Sequence, residues 1–163
     1  KDTDNDSVKE VVEKYNANDT QRHIVEAIYK WNGSSIVEAS RNITYESGAF
    51  SYPTTPEAVA KCYVEAVACG AKDEITQMEY SGDKSNLRYN NEDTSSIKNT
   101  IEPGVFQVTS CEPWEPYSYF FSYGDSYPNE SYQIVSYSNN GYSSDVYVYL
   151  YNDGGKWKVY AGS

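Results

Sequence analysis

The spacing of apolar residues divides the chain into a helical first part and a strand-rich second part. Residues 8–15 and 24–31 carry apolar side chains at helical spacing, whereas residues 35–45 alternate weakly and predict a strand. The clearest helix runs from Thr55 to Cys69: Thr55 is a suitable N-cap and Pro56 suits the first turn. Short helical segments are predicted at 72–78 and 94–101.

From Val105 onward the apolar residues alternate with a period of two. Strands are predicted at 105–111, 117–123, 132–137, 146–151 and 156–160, with tight turns at 139–141 and 152–155. Within 146–151 the aliphatic residues use one face, so Tyr147, Tyr149 and Tyr151 use the other. Helices followed by an antiparallel meander predict the α+β class.

The chain divides into an N-terminal extension, residues 1–53, which is partly helical, and a domain at 54–163. The first seven residues are polar throughout and lack the basic start and apolar run of a signal peptide. A polar stub of this kind commonly follows the lipid-modified cysteine of a bacterial lipoprotein; a frayed terminus is the simpler interpretation.

The domain resembles the superfamily named after nuclear transport factor 2 (NTF2-like). The resemblance lies in Thr55-Pro56-Glu57 with its helix, in the short helix at 72–78, and in the last strand, which reads Asp-Gly-Gly-Lys-Trp-Lys-Val at 153–159. In particular it looks like the uncharacterised lipoprotein-associated domains of this superfamily in gut and soil bacteria. It implies a cone-shaped α+β fold, in which a long N-terminal helix packs on a strongly curved antiparallel sheet. A pocket would open at the mouth of the cone. The fold hosts enzymes, adaptors and accessory domains alike, so it implies no activity.

Charge and composition exclude several partners. The chain has 13 basic and 24 acidic residues, a net charge of −11, which disfavours nucleic acid and anionic membrane surfaces. No apolar run approaches the ~20 residues of a membrane span, so membrane contact is expected only through a lipid anchor. The chain has 18 Tyr but a single His and a single Met. This composition is typical of an extracytoplasmic protein, secreted or lipid-anchored at the cell surface.

Residues suited to acid–base catalysis are scarce. The catalytic members of the family that the chain resembles, such as ketosteroid isomerases and scytalone dehydratases, use Asp, Tyr or His inside the cone. Here the helix supplies only Tyr63, and His23 lies outside the resembling region. We therefore predict no catalytic residue and a non-enzymatic binding or interaction module. The alternative is an isomerase or dehydratase acting on a small apolar substrate, which a buried, unpaired Asp facing Tyr63 would favour.

The cysteines and acidic residues predict neither a cofactor nor a metal site. Cys62 and Cys69 lie about 10.5 Å apart along one helix, which is too far for a disulfide. Cys111 could pair with either, although three small buried residues are the favoured interpretation. Three aspartates among residues 2–6 together with Glu13 match the spacing of a calcium loop, but Ser7 replaces its essential glycine. A solvated acidic tail is the simpler interpretation.

The candidate ligand-binding residues are aromatic: Tyr63, Trp114, Tyr147 and Tyr149. Trp114 lies between two prolines, which favours a rigid loop; it either stacks on a sugar or planar ring, or plugs the core. The predicted partner is a small molecule or a protein at the cone mouth or on the tyrosine face. That face needs a cover, and the candidates are residues 1–53, then a second copy of the chain, then a carbohydrate.

Overall fold

The computed structural model describes residues 9–115 and 127–163. The chain divides into two compact units, Lys1–Ser51 and Tyr52–Ser163. The elements within the described residues are β1 (Val11–Asn16), β2 (His23–Trp31), β3 (Ile36–Tyr45), α1 (Pro56–Cys69), α2 (Lys72–Met78), α3 (Ser95–Thr100), β4 (Phe106–Pro113), β5 (Glu130–Asn139), β6 (Tyr142–Asp153) and β7 (Lys156–Gly162).

The first unit is a three-stranded antiparallel sheet in the order β1-β2-β3. The chain turns from β1 to β2 through Arg22, whose φ of 53° lies in the left-handed region. The central strand alternates: His23, Val25 and Ala27 are fully buried, and the residues between them are half-buried. At the opposite end of the strands the sheet exposes large apolar side chains, namely Val11 (56% exposed), Trp31 (56%) and Ile36 (62%).

The helices predicted at 8–15 and 24–31 are wrong, because both segments are strands, β1 and β2. The i, i+4, i+7 stripe of Ile24, Ile28 and Trp31 coincides with a strand that carries some apolar residues on each face. Ile, Val, Tyr and Trp favour strands because their side chains pack well on a pleated surface. In addition, residues 24–29 of β2 pair with β1 on one side and with β3 on the other, so the sheet satisfies their backbone without a helix. The strand predicted at 35–45 is confirmed as β3.

The second unit contains the helix predicted at Thr55–Cys69, found as α1. The Thr55 hydroxyl accepts a hydrogen bond from the Ala58 amide at 3.2 Å, and this satisfies one of the unpaired donors of the first turn. Gly70 ends the helix with a φ of 75°, and the Ala71 amide donates to the Ala66 carbonyl. Both Val59 and Tyr63 on α1 are fully buried.

Helix α1 packs on a four-stranded antiparallel meander in the order β4-β5-β6-β7, and it contacts all four strands. The predicted strands at 105–111, 132–137, 146–151 and 156–160 are present as β4 to β7. The predicted strand at 117–123 lies outside the described residues. The turn between β5 and β6 uses Asn140 and Gly141, both with positive φ, as the sequence predicts.

The predicted fold class, a cone-shaped NTF2-like α+β fold with a long N-terminal helix on a strongly curved sheet, is wrong. The part of the chain that the structure describes has two separate sheets, neither strongly curled, with 44% of its residues in strands and 19% in helices. The longest helix in that part has 14 residues and follows three strands. The N-terminal extension is predicted to be partly helical, whereas residues 11–45 contribute three strands that form a sheet of their own. Among the described residues, no helix has the length and apolar character to span a membrane.

Candidate functional site

A cluster of aromatic side chains covers the tyrosine face of the second sheet. Tyr149 and Tyr160 are buried at its centre, 4% and 0% exposed, beside Leu87 and Ala161. Half-buried rings surround them; we call the whole group the aromatic cluster, and its outer members are Tyr80, Tyr89, Trp114, Tyr132, Tyr147 and Tyr151. Strand β6 alternates as predicted, with Val146, Val148 and Leu150 buried on the opposite face.

Part of the tyrosine face is covered by a loop that is not among the predicted candidates. Leu87 and Tyr89 lie in this loop, after α2, and the Tyr89 ring stacks on Tyr149 with centroids 4.3 Å apart. Lys84 ties this loop to β7 by donating to the Tyr160 carbonyl at 2.5 Å. The signal in the sequence was the pair of large apolar residues, Leu87 and Tyr89, within an otherwise polar segment.

Trp114 lies at the rim of the aromatic cluster. Its ring is tilted by 59° against Tyr147 with centroids 4.7 Å apart, and it is nearly parallel to Tyr149 at 6.1 Å. Its backbone amide donates to the Tyr132 carbonyl at 2.9 Å, which extends the β4–β5 pairing by one residue. Trp114 and Tyr147 are half-buried, so part of each ring remains open to solvent. The structure therefore brings together three of the four predicted binding residues.

The polar groups beneath the cluster converge on Glu130, at the start of β5. Its Oε2 accepts hydrogen bonds from the Tyr132 hydroxyl at 2.6 Å and the Tyr160 hydroxyl at 2.7 Å, and its Oε1 accepts from the Arg88 amide. Burial, together with the hydrogen bond to Glu130, raises the pKa of Tyr132 and of Tyr160 well above the ordinary value. Both phenols are therefore neutral donors at physiological pH.

The Arg88 guanidinium lies against the same group of rings. Its carbon is 5.8 Å from the centroid of Tyr132 and 5.9 Å from those of Tyr89 and Tyr127. A planar cation among ring faces is attracted by their quadrupoles. Arg88 thus helps to hold Tyr89 and Tyr132 in place, and none of these three residues was singled out from the sequence.

The fourth predicted residue, Tyr63, lies apart from the cluster and is fully buried. Its hydroxyl donates to Glu79 Oε1 at 2.6 Å, and the same oxygen accepts from Thr94 at 2.7 Å and from Lys98 at 2.6 Å. Burial opposes the charge on Glu79, but the bonds from Lys98, Tyr63 and Thr94 outweigh it and lower its pKa. Burial and the bond to Glu79 raise the pKa of Tyr63. The group facing Tyr63 is therefore an ion-paired glutamate.

The remaining residues considered for chemistry have structural partners. His23 Nδ1 lies 2.6 Å from Asp19 Oδ2. No disulfide joins Cys62, Cys69 and Cys111; the first two are buried, as the favoured interpretation has it, whereas Cys111 is half-buried. Burial raises the pKa of Cys111 to about 11, so its thiol is protonated near neutral pH. Of the calcium motif, residues 2–6 lie outside the described residues, and Glu13 lies on β1, where it accepts from the Tyr29 hydroxyl at 3.2 Å.

Comparison with protein-family models, curated proteins and solved structures finds no match for this chain. The resemblance to the NTF2-like superfamily thus stays a prediction from sequence motifs.

Proposed function

We propose that the protein is a non-enzymatic, extracytoplasmic binding module that recognises a ring-shaped ligand, a sugar or a planar ring, on the exposed parts of Trp114 and Tyr147. The observation that carries the proposal is the contact between these two rings, 4.7 Å apart, at the rim of a cluster that fixes them from below. An aromatic pair of this kind offers a large amphipathic contact surface.

The fixed position of Trp114 favours recognition, because a side chain that is already ordered loses little entropy on binding. Its backbone is held by the hydrogen bond to Tyr132, and its ring packs on Tyr149. Tyr149 is itself held by the stacked ring of Tyr89 and by a hydroxyl contact of 3.0 Å with Ser163. Movement of the Trp114 ring would therefore disturb a packed group of side chains.

The alternative function is an isomerase or dehydratase acting on a small apolar substrate. Such an enzyme needs a group that exchanges a proton near neutral pH. The pKa of Glu79 is lowered and that of Tyr63 is raised, so Glu79 stays ionised and Tyr63 stays protonated near neutral pH. This arrangement favours the binding module over the enzyme.

The extracytoplasmic location rests on composition, since the chain is rich in Tyr and has one His and one Met. Fractionation of the source cells tests the location: the protein should be found in the medium or at the cell surface. Recovery in the cytoplasmic fraction would contradict this part of the proposal.

A glycan array with the full chain tests the recognition surface, followed by calorimetry with the best glycan. Trp114→Ala should lower the affinity about tenfold or more, because stacking on an aromatic ring contributes most of the contact. Trp31→Ala is the matched control, since Trp31 is an exposed tryptophan in the other unit. Equal affinity of wild-type protein and Trp114→Ala would overturn the proposal.

A second copy of the chain is the competing occupant of this surface. Analytical ultracentrifugation of wild-type protein and Trp114→Ala separates the two. A monomer in both cases supports the small ligand. A wild-type dimer that dissociates in Trp114→Ala would assign the surface to self-association instead.

A further inference from the structure

A cleft of about 340 Å³ lies within the second unit, on the side of β7 where α2 ends. Its basic groups are Lys156 and Lys158, which are two residues apart on β7 and therefore project from the same face of the strand. Both ammonium groups lie over the ring of Tyr52, at 5.5 Å and 5.1 Å from its centroid. The Tyr52 hydroxyl donates to the Trp157 carbonyl at 2.7 Å, so the ring is fixed to the strand between the two lysines.

The local charge of the cleft is opposite to that of the whole chain. Neither Lys156 nor Lys158 forms an ion pair within the part of the chain that the structure describes. Two carboxylates line the cleft, Glu79 and Asp153, and Glu79 is neutralised by its contact with Lys98 at 2.6 Å. Because Glu79 is compensated by Lys98, which lies outside the lining, the two lysines of the cleft face one uncompensated carboxylate, Asp153, in a protein whose net charge is −11.

The two lysines also carry an electrostatic cost that a bound anion would remove. Burial and the neighbouring charge of Lys156 lower the pKa of Lys158, since each disfavours the charged form. Lys158 donates to the Gln77 carbonyl at the end of α2, whereas Lys156 is exposed to solvent. Lys156 is therefore the cation that is free to meet a ligand.

From this arrangement we infer a second binding site, for the carboxylate of a small hydroxylated acid of the uronic acid type. The carboxylate would bind between Lys156 and Lys158, because paired ammonium groups suit its two oxygens. The cleft wall adds groups that bond to hydroxyls, among them Ser81, Gln77 and the carboxylate of Asp153. The excess of one positive charge, with Asp153 close by, selects a single negative charge over a doubly charged anion.

Titration of the full chain with D-glucuronate tests this site, with D-glucose as the neutral match and sulfate as the anion without hydroxyls. Amide chemical shifts report the place of binding, and calorimetry reports the affinity, at constant ionic strength. Glucuronate should change the amide chemical shifts of Tyr52, Lys156 and Ser81. Its dissociation constant should be at least about tenfold lower than that of either control compound. The Lys158 side chain should titrate at higher pH when glucuronate is bound.

Lys156→Gln should weaken glucuronate binding about tenfold while changing the unfolding temperature little, because Lys156 is exposed and its contact with Tyr52 is a surface one. The matched control is Lys72→Gln, an exposed lysine on α2 outside the cleft lining. Equal affinity for glucose or sulfate would overturn the assignment, as would unchanged binding in Lys156→Gln or the absence of glucuronate binding. Trp114→Ala should leave this binding intact, which separates the site from the one at the aromatic cluster.

Discussion

The Tyr63 hydroxyl donates to Glu79 Oε1 at 2.6 Å, and this bond joins the middle of α1 to the residue that follows α2. We expect Tyr63→Phe to lower the free energy of unfolding by about 1 kcal/mol, the usual net value of one hydrogen bond, because Thr94 and Lys98 continue to satisfy Glu79. Chemical denaturation measures the change. Tyr142→Phe, at an exposed position, is the control and should have no effect. A Tyr63→Phe protein as stable as wild type would contradict the bond.

Glu79 also predicts a dependence of stability on pH. Its pKa in the folded protein is lowered from 4.5, so the unfolded chain takes up a proton first as the pH falls. The contribution of Glu79 is complete above the unfolded value and is lost as the pH falls below 4.5 and through the folded value. Glu79→Gln should therefore destabilise the protein near neutral pH. The stability of this variant should also fall less steeply than that of the wild type as the pH is lowered. Thermal unfolding of both proteins across the acid range measures this, and parallel curves would exclude Glu79 as the source.

Glu130 holds two phenols at once, and its removal should affect the aromatic cluster more than a single lost bond. Glu130→Ala leaves the hydroxyls of Tyr132, which is half-buried, and Tyr160, which is fully buried, without their acceptor. We expect the free energy of unfolding to fall by about 2 kcal/mol, since an unsatisfied buried donor costs about 1–3 kcal/mol. Near-ultraviolet circular dichroism should weaken in parallel. Glu130→Gln keeps an acceptor and should lose less, and the exposed Glu115→Ala should lose nothing.

Thr55 caps the helix that organises the second unit. Thr55→Ala removes the acceptor for the Ala58 amide and should cost about 1 kcal/mol, whereas Thr55→Asp should retain the cap. Thr54→Ala, at the exposed neighbour, is the matched control. Denaturation midpoints of the three variants check the order. Equal midpoints for Thr55→Ala and Thr54→Ala would show that the cap contributes nothing.

The helices and strands of the second unit could be predicted from the sequence, because the capping residues, the turn residues and the alternation of side chains all indicate the same elements. Thr55, Pro56 and Gly70 fix the ends of α1 by capping, and the alternation of β6 with Gly and Asn turns fixes the hairpins. In the first unit the local signals conflicted, since Ile24, Ile28 and Trp31 fit a helix and a two-sided strand equally well. The pairing of β2 with β1 and β3 decided between them, and such pairing is a long-range property.

In the candidate sites, too, local patterns could be predicted from the sequence and long-range contacts could not. Trp114, Tyr147 and Tyr149 could be selected from residue type and alternation, and the structure brings them together. The convergence of Arg88 and Glu130 on the same rings joins positions far apart in the chain, so the sequence offered no spacing to detect it. The cleft over Tyr52 likewise combines the start of the unit with its last strand.

Strand β6 has neighbours on both edges and packed side chains on both faces, aliphatic on one and aromatic on the other. A shift of this strand by one residue would exchange the two sets and place the hydroxyl of Tyr149 among the aliphatic residues beneath α1, far from Ser163. Misaligned pairings during folding are therefore penalised on both faces at once. The alternation of Val and Tyr in β6 therefore specifies the register of the strand, in addition to supplying side chains to both faces of the sheet.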